Sequence, residues 1–259
     1  MEQLEHYDPK VSAAIERIEE EHGVIVLLAT EVSSRLWGFD TEGSDHDVKF
    51  VYMKDDMKDY FTVGTKSRPH IEYIKDDYDY QGTDLCKFLI QIRSSNMVAV
   101  NLVRSPIVYH KSPFYDKVLE LTKNTWNAMT IYQTKRAWVH SKTHEVESKM
   151  VSVKELMHTA HHTLSCVYMQ STEGGFPPQN ILELLEVVKG DIPPKLYLEV
   201  LRWKEGRDFS SEGDDTVFPV TSDTQEMLQK LTPFHFLHGN ERVEKEVMLF
   251  DKLLRATLC

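Results

Sequence analysis

Cysteine is scarce in this chain of 259 residues. Cys86, Cys166 and Cys259 are odd in number and lack the paired spacing of a disulfide framework or a cysteine zinc site, so a reducing compartment is expected. Long apolar runs are missing too: the longest, Val24–Ala29, falls far short of the roughly 20 residues that span a bilayer. The opening MEQLEHYDPK is acidic and has no apolar core, unlike a signal peptide. Base is in short supply, with 30 Lys+Arg against 41 Asp+Glu and a formal net charge of -11. A surface built to coat DNA or RNA needs the opposite sign. Glycine and proline are scattered without a period, which excludes collagen-like and low-complexity chains. What is left is an ordinary globular composition, and the expectation is a soluble cytoplasmic protein with no membrane association.

The acid is unevenly spread. Residues 1–112 carry 20 acids and 13 bases, net -7 of the total -11. The texture of the sequence also changes near residue 112. Before it, Val11, Ala14, Ile15 and Ile18 form an i, i+3, i+4, i+7 stripe that predicts a helix ending at Gly23. VIVLLA then reads as a buried strand. DHDVKFVYM alternates, with Val48, Phe50 and Tyr52 on one face and Asp45 and Asp47 projecting from the other. IEYI, YDY and SPIVY are further extended stretches, and DLCKFLIQIRSSN is a helix opened by Thr83 or Asp84. After residue 112 helical patterns dominate, over 126–150, 151–170, 180–189 and 195–205, punctuated by Gly174-Gly175, Pro177-Pro178 and Pro193-Pro194. The expected architecture is α+β: a mixed β-sheet with helices in a catalytic domain over residues 1–112, then an all-helical domain over 113–259 that closes a cleft on it.

The pattern with the most chemistry in it is SSRLWGFDTEGSDHDVKFVY, residues 33–52. Two aspartates at i and i+2 on one strand face raise each other's pKa unless a cation sits between them. Hard oxygen donors of this kind suit Mg²⁺ or Mn²⁺, which keep positions open for phosphate oxygens. A turn of small residues ahead of them, Ser33-Ser34, lets backbone N–H groups approach a triphosphate. DxD on a strand is also common as plain solvated surface. The third carboxylate of a two-metal centre would come from a neighbouring strand, where Asp79 is the choice and Asp84 the competitor.

These residues carry a resemblance. Ser33-Ser34 through Asp47 resembles the Gly-Ser … hDhDh signature of the DNA polymerase beta nucleotidyltransferase superfamily. EVSSRLWGFDTEGSDHDVKFVY, GTDLCKFL and SPIVY look like the predicted nucleotidyltransferase family that accompanies RNA ligases in bacteria and phages. The similarity spans most of residues 24–110 and continues more weakly around VSVKELMHTAHHTLSC and GGFPPQNILELL. It implies a nucleotidyltransferase-type sheet and transfer of NMP from an NTP to an acceptor hydroxyl with release of pyrophosphate, the acceptor being an RNA end or tRNA. It places Asp45 and Asp47 at the metal, where Asp79 is the chosen third acid, and Ser33, Ser34, Arg35 and Lys154 near the nucleotide. Two departures stand out. Ser33 occupies the position of the family's glycine, putting a Cβ and a hydroxyl where backbone would approach phosphate. Ser95-Asn96-Met97 … Asn101-Leu102-Val103 replaces a Ser-Asn-Pro … Glu-Trp-Leu stretch. Ser33 motivates the competing reading, a protein of this fold that binds nucleotide or a partner without transferring.

Weaker signals have plainer readings. Arg35 fits either a bidentate phosphate contact or a surface ion pair. Trp37 and Phe39 read as core anchors of the turn rather than base-stacking groups. His140 and His144, and His158, His161 and His162, have the spacing of one helical face, but no HExxH motif or cysteine accompanies them to support zinc. His46-Asp47 sits on a strand, unlike the helical HD pair of phosphohydrolases.

Overall fold

The computed structural model describes residues 4–60, 70–144, 150–208, 217–219, 222–232 and 245–258. Its contacts divide into two compact units, one drawn from Met1–Leu36, Asp45–Trp126 and Glu241–Cys259, the other from Trp37–Ser44 and Asn127–Asn240.

The first unit begins with a two-residue strand, β1 (Leu4–Glu5), and helix α1 (Pro9–His22). Asp8 starts α1 by accepting the amides of Lys10 and Val11, Pro9 fits the first turn, and Gly23 ends the helix in the left-handed conformation at φ 58°. The strands and helices that follow are β2 (Val24–Glu31), α2 (Ser33–Trp37), β3 (His46–Lys54), β4 (Ile71–Lys75), β5 (Tyr78–Asp84), α3 (Leu85–Arg93), α4 (Met97–Arg104), β6 (Ile107–Lys111) and α5 (Pro113–Thr125). Six strands form one sheet in the order β1-β6-β2-β3-β5-β4. It is mixed: β1 with β6 and β3 with β5 run parallel, and the remaining pairs are antiparallel.

Alternation along the strands decides which residues form the core. Val48, Phe50 and Tyr52 face the stripe Val11, Ala14, Ile15 and Ile18 of α1, and Tyr78 and Tyr80 extend the same cluster. Each such aliphatic or aromatic side chain contributes roughly 1.5–3 kcal/mol on burial. The other face is covered by α3, α4 and α5. There Leu85, Phe88, Leu89 and Ile92 are buried, and Thr30 Oγ1 donates to Leu102 O at 3.0 Å, tying β2 to α4.

The second unit is built on α6 (Ala128–His144), β7 (Met150–Ser152), α7 (Val153–Ser171), α8 (Ile181–Val188), α9 (Pro194–Asp208), β8 (Val217–Pro219) and α10 (Ser222–Lys230). α7 is its axis, buried along nearly its whole length and packed by α6, α8 and α9. Phe39 is fully buried in this core and Trp37 packs against it, so the anchor reading of the aromatic turn holds. The part expected to be all-helical also contains a small antiparallel pair, β7 with β8. Three-residue strands are too short to show a period of two, which is why pattern alone missed them. The final helix, α11 (Lys245–Leu258), returns to the first unit and packs on α3 and α5. No helix among the described residues is long and apolar enough to cross a membrane.

Candidate active site

The polar residues of the first unit collect at one end of its sheet, where β2 finishes and β3 and β5 begin. β3 and β5 are parallel, and their register sets Asp47 opposite Asp79. Residues in register on neighbouring strands share a face, so the two carboxylates project on the side away from the α1 core. Both are partly exposed. Asp79 Oδ2 accepts from Gln81 Nε2 at 2.9 Å, leaving its other oxygen for a further bond.

Asp45 lies just before β3 and is exposed. Arg35 Nε donates to its carbonyl oxygen at 3.3 Å, linking the start of α2 to the first aspartate through backbone. The structure therefore aligns Asp47 with Asp79 and ties Asp45 to Arg35. It does not gather Asp45, Asp47 and Asp79 as one ligand group: among the described residues no three His, Cys, Asp or Glu stand in a metal-holding arrangement. Asp84 is committed elsewhere. It lies at the opposite end of β5, is buried, and caps α3 by accepting from Cys86 N at 2.9 Å and Tyr60 OH at 3.0 Å.

The small-residue turn is the first turn of α2. Ser33 takes φ 59°, the left-handed conformation that a glycine reaches without strain. The chain thus keeps the path that glycine would give it, and Ser34 follows it, largely buried. Lys154 belongs to the second unit, exposed in the first turn of α7 after its cap Ser152.

Three polar residues meet on the other face of the same strand ends: His46, legible in the sequence only as half of an HD pair, and Glu31 and Tyr109, to which sequence reasoning gave no role. Glu31, the last residue of β2, is completely buried. Its Oε1 accepts the amide of Asp47 at 2.8 Å; its Oε2 accepts from Tyr109 OH at 2.6 Å and lies 3.1 Å from His46 Nδ1. Burial pushes the Glu31 carboxyl upward, and the bonds from Tyr109, His46 and the Asp47 amide partly offset this. Burial first, then the Glu31 carboxylate, raises the Tyr109 phenol. His46 stacks flat on Tyr78, with centroids 4.3 Å apart, and Tyr78 OH donates to Asp8 Oδ2 at 2.7 Å. Burial and that bond push Tyr78 up to about 12. The sequence signals for Glu31 were its place at the end of a largely apolar strand and at the head of the family-like stretch EVSSRLWGF.

The histidines of the second unit have ordinary partners. His140 Nε2 lies 3.1 Å from Thr232 Oγ1, and His161 Nε2 lies 2.9 Å from Gln179 O. His162 Nδ1 is 3.4 Å from Lys135 Nζ. Trp37 packs on His158 and His161 with centroids 4.8 and 5.2 Å away. The side chain of His144 is outside the described residues.

Mg²⁺ is commonly held by one or two carboxylates plus substrate phosphates rather than by a complete protein cage. An aligned Asp47–Asp79 pair fits that habit, with hard oxygen donors, one of them shared with an amide.

A Bacillus subtilis (strain 168) protein described as "Uncharacterized protein YcgL" is 26% identical over 197 residues, 74% of this chain and 74% of that one. A crystal structure of a nucleotidyltransferase-like protein from Exiguobacterium sibiricum 255-15 aligns at 13% identity and TM-score 0.31, covering 95% of this chain and 75% of the other. The sequence model of the family described as "RlaP: RNA repair pathway DNA polymerase beta family" matches residues 8–255, nearly the whole length, and the chain belongs to that family.

Proposed function

We propose that the protein is a metal-dependent nucleotidyltransferase that moves NMP from an NTP to an acceptor hydroxyl and releases pyrophosphate. The observation that carries this reading is the register of Asp47 with Asp79 at the strand ends beside the Ser33–Arg35 turn. Family membership supports a nucleotide substrate and, through the family's description, an RNA end as acceptor.

Asp47 and Asp79, together with Asp45, would hold the cation. The bound cation would supply charge neutralisation at the phosphates and activation of the acceptor oxygen. The backbone of the turn and the Ser34 hydroxyl bind the β- and γ-phosphates, and Arg35 holds the loop carrying Asp45 against that turn. The acceptor oxygen forms its bond to the α-phosphorus as the bond to the bridging oxygen breaks, and pyrophosphate takes the electron pair. Ser33 in the left-handed conformation supports retained turnover, because the backbone that meets phosphate follows the glycine path.

The test is incubation with each α-³²P-labelled NTP, Mg²⁺ and RNAs bearing free 3′ ends, comparing wild type with Asp45→Ala/Asp47→Ala and with Asp79→Ala. Label should move to RNA with wild type and fall at least a hundredfold in both variants. Equal labelling by wild type and the double variant rules out the mechanism. NTP binding in Mg²⁺ without transfer to any acceptor favours the binding-only alternative.

A further inference from the structure

We propose that Glu31 is a positioning residue for the aspartate site, acting through the backbone of Asp47 from the opposite face of the sheet; this rests on the reading of Asp47 as a metal-holding carboxylate.

A regular antiparallel ladder returns two bonds between facing residues, one from each amide. At the end of the β2–β3 ladder the first is present, Val32 N to Asp47 O at 2.9 Å. The chain then leaves the ladder at once, because Ser33 turns it into α2 with φ 59°. The Asp47 amide instead donates to Glu31 Oε1 at 2.8 Å. A side-chain carboxylate thus takes the place of a ladder carbonyl at the strand position that the turn interrupts.

The other oxygen fixes the carboxylate in turn. Tyr109 on β6 donates to Oε2 at 2.6 Å, and His46 on β3 approaches it at 3.1 Å. Ser105 Oγ donates to the Glu31 carbonyl at 2.6 Å, holding its backbone as well. One fully buried side chain therefore joins β6, β2 and β3 where the aspartates emerge. With the Asp47 peptide held on both sides, strand alternation sends its carboxylate to the face it shares with Asp79. Glu31 lies on the other face, so its part is to orient and not to bind metal or nucleotide.

Three variants of the full chain test this: Glu31→Ala, Glu31→Gln and Tyr109→Phe. Glutamine keeps an oxygen for the Asp47 amide and offers an N–H to the Tyr109 oxygen. Two readouts are used: Mn²⁺ affinity by electron paramagnetic resonance without nucleotide, and hydrogen exchange of peptides covering residues 45–50. In Glu31→Ala, exchange over 45–50 should rise at least tenfold and Mn²⁺ affinity fall about tenfold or more, while peptides from α7 exchange as in wild type. Glu31→Gln should stay within about threefold of wild type on both. Tyr109→Phe should lie between them. Unchanged exchange over 45–50 in Glu31→Ala, or equal damage from Ala and Gln, overturns the proposal. If Glu31→Ala does not fold, the contrast between Glu31→Gln and Tyr109→Phe decides: an effect larger in Glu31→Gln than in Tyr109→Phe overturns it. Wild type that binds no Mn²⁺ defeats the metal reading of Asp47 instead, and exchange still reports whether Glu31 holds that strand end.

Discussion

Two left-handed backbone positions in the segment 33–52 respond oppositely to a Cβ. Ser33 takes φ 59°, where its Cβ costs roughly 1 kcal/mol that glycine would not incur. Ser33→Gly is therefore expected to raise unfolding stability by no more than about 0.5 kcal/mol in urea denaturation, most of the relieved strain being offset by the freer unfolded chain. It should leave nucleotide binding intact. Gly38 is the reverse case. It takes φ 74°, and a Cβ there would collide with the side chain of Asn180. Asn180 caps α8 by accepting the amides of Leu182 and Glu183. Gly38→Ala combines left-handed strain with a displaced cap, so a loss of about 2–4 kcal/mol is expected in the same measurement. Both residues stand in the sequence as part of one motif. The need for Gly38 comes from a cap far away in the chain, which no local pattern records.

Among the elements, α6 and α7 enclose a buried lysine. Lys135 is buried on α6, and its ammonium faces His162, His161 and Cys166 of α7 rather than a carboxylate. Burial pushes its pKa down to about 8 from the ordinary 10.5. Below pH 8 both folded and unfolded chains hold the proton and the penalty, about 3 kcal/mol, is present in full. Between pH 8 and 10.5 the unfolded chain binds more protons than the folded one, so this contribution to stability recovers as pH rises. Lys135→Met, similar in shape and uncharged, is expected to stabilise the protein at pH 7 by up to about 3 kcal/mol. Its advantage over wild type should shrink through pH 8–10.5, which urea titrations across that range would show; a constant difference would contradict the shift. The same helices explain the histidine spacing that suggested a possible zinc site. α7 is buried on almost every side, so His161 and His162 face the interior because little of the helix faces water. Burial, together with Lys135, lowers both well below 6.5 and keeps them neutral.

For the molecule as a whole, the charge of -11 is informative mainly through its placement. Asp45, Asp47, Asp76, Asp77 and Asp79 all lie at or beside the starts of β3 and β5, where they set up a negative potential against an incoming triphosphate. Calorimetry with ATP is expected to show no measurable binding in EDTA and micromolar to millimolar binding in Mg²⁺. Equal affinity in both would mean that the aspartates do not face the phosphates. The two-unit division also bears on stability. Phe250 and Leu253 of α11 are buried in the first unit although they lie far along the chain from its sheet, so that unit depends on a segment distant in sequence.

Much of the fold was legible because amphipathic period and turn chemistry are local. The α1 stripe, the caps Asp84 and Gly23, the alternation of β3 and the helices of the second half are all set by neighbours a few residues away. The signal for α5 was also present, in Ser112 as cap and Pro113 in the first turn. β1, β7 and β8 were not legible, since two or three residues hold no period and pair only because distant chain arrives beside them. The candidate site divides the same way. Asp45, Asp47 and the small-residue turn are contiguous and could be read directly. That Asp79 stands in register with Asp47 and that Glu31 holds the Asp47 amide depend on strand pairing. Pairing is a relation between segments separated along the chain, and hydrogen-bond register, rather than composition or spacing, establishes it.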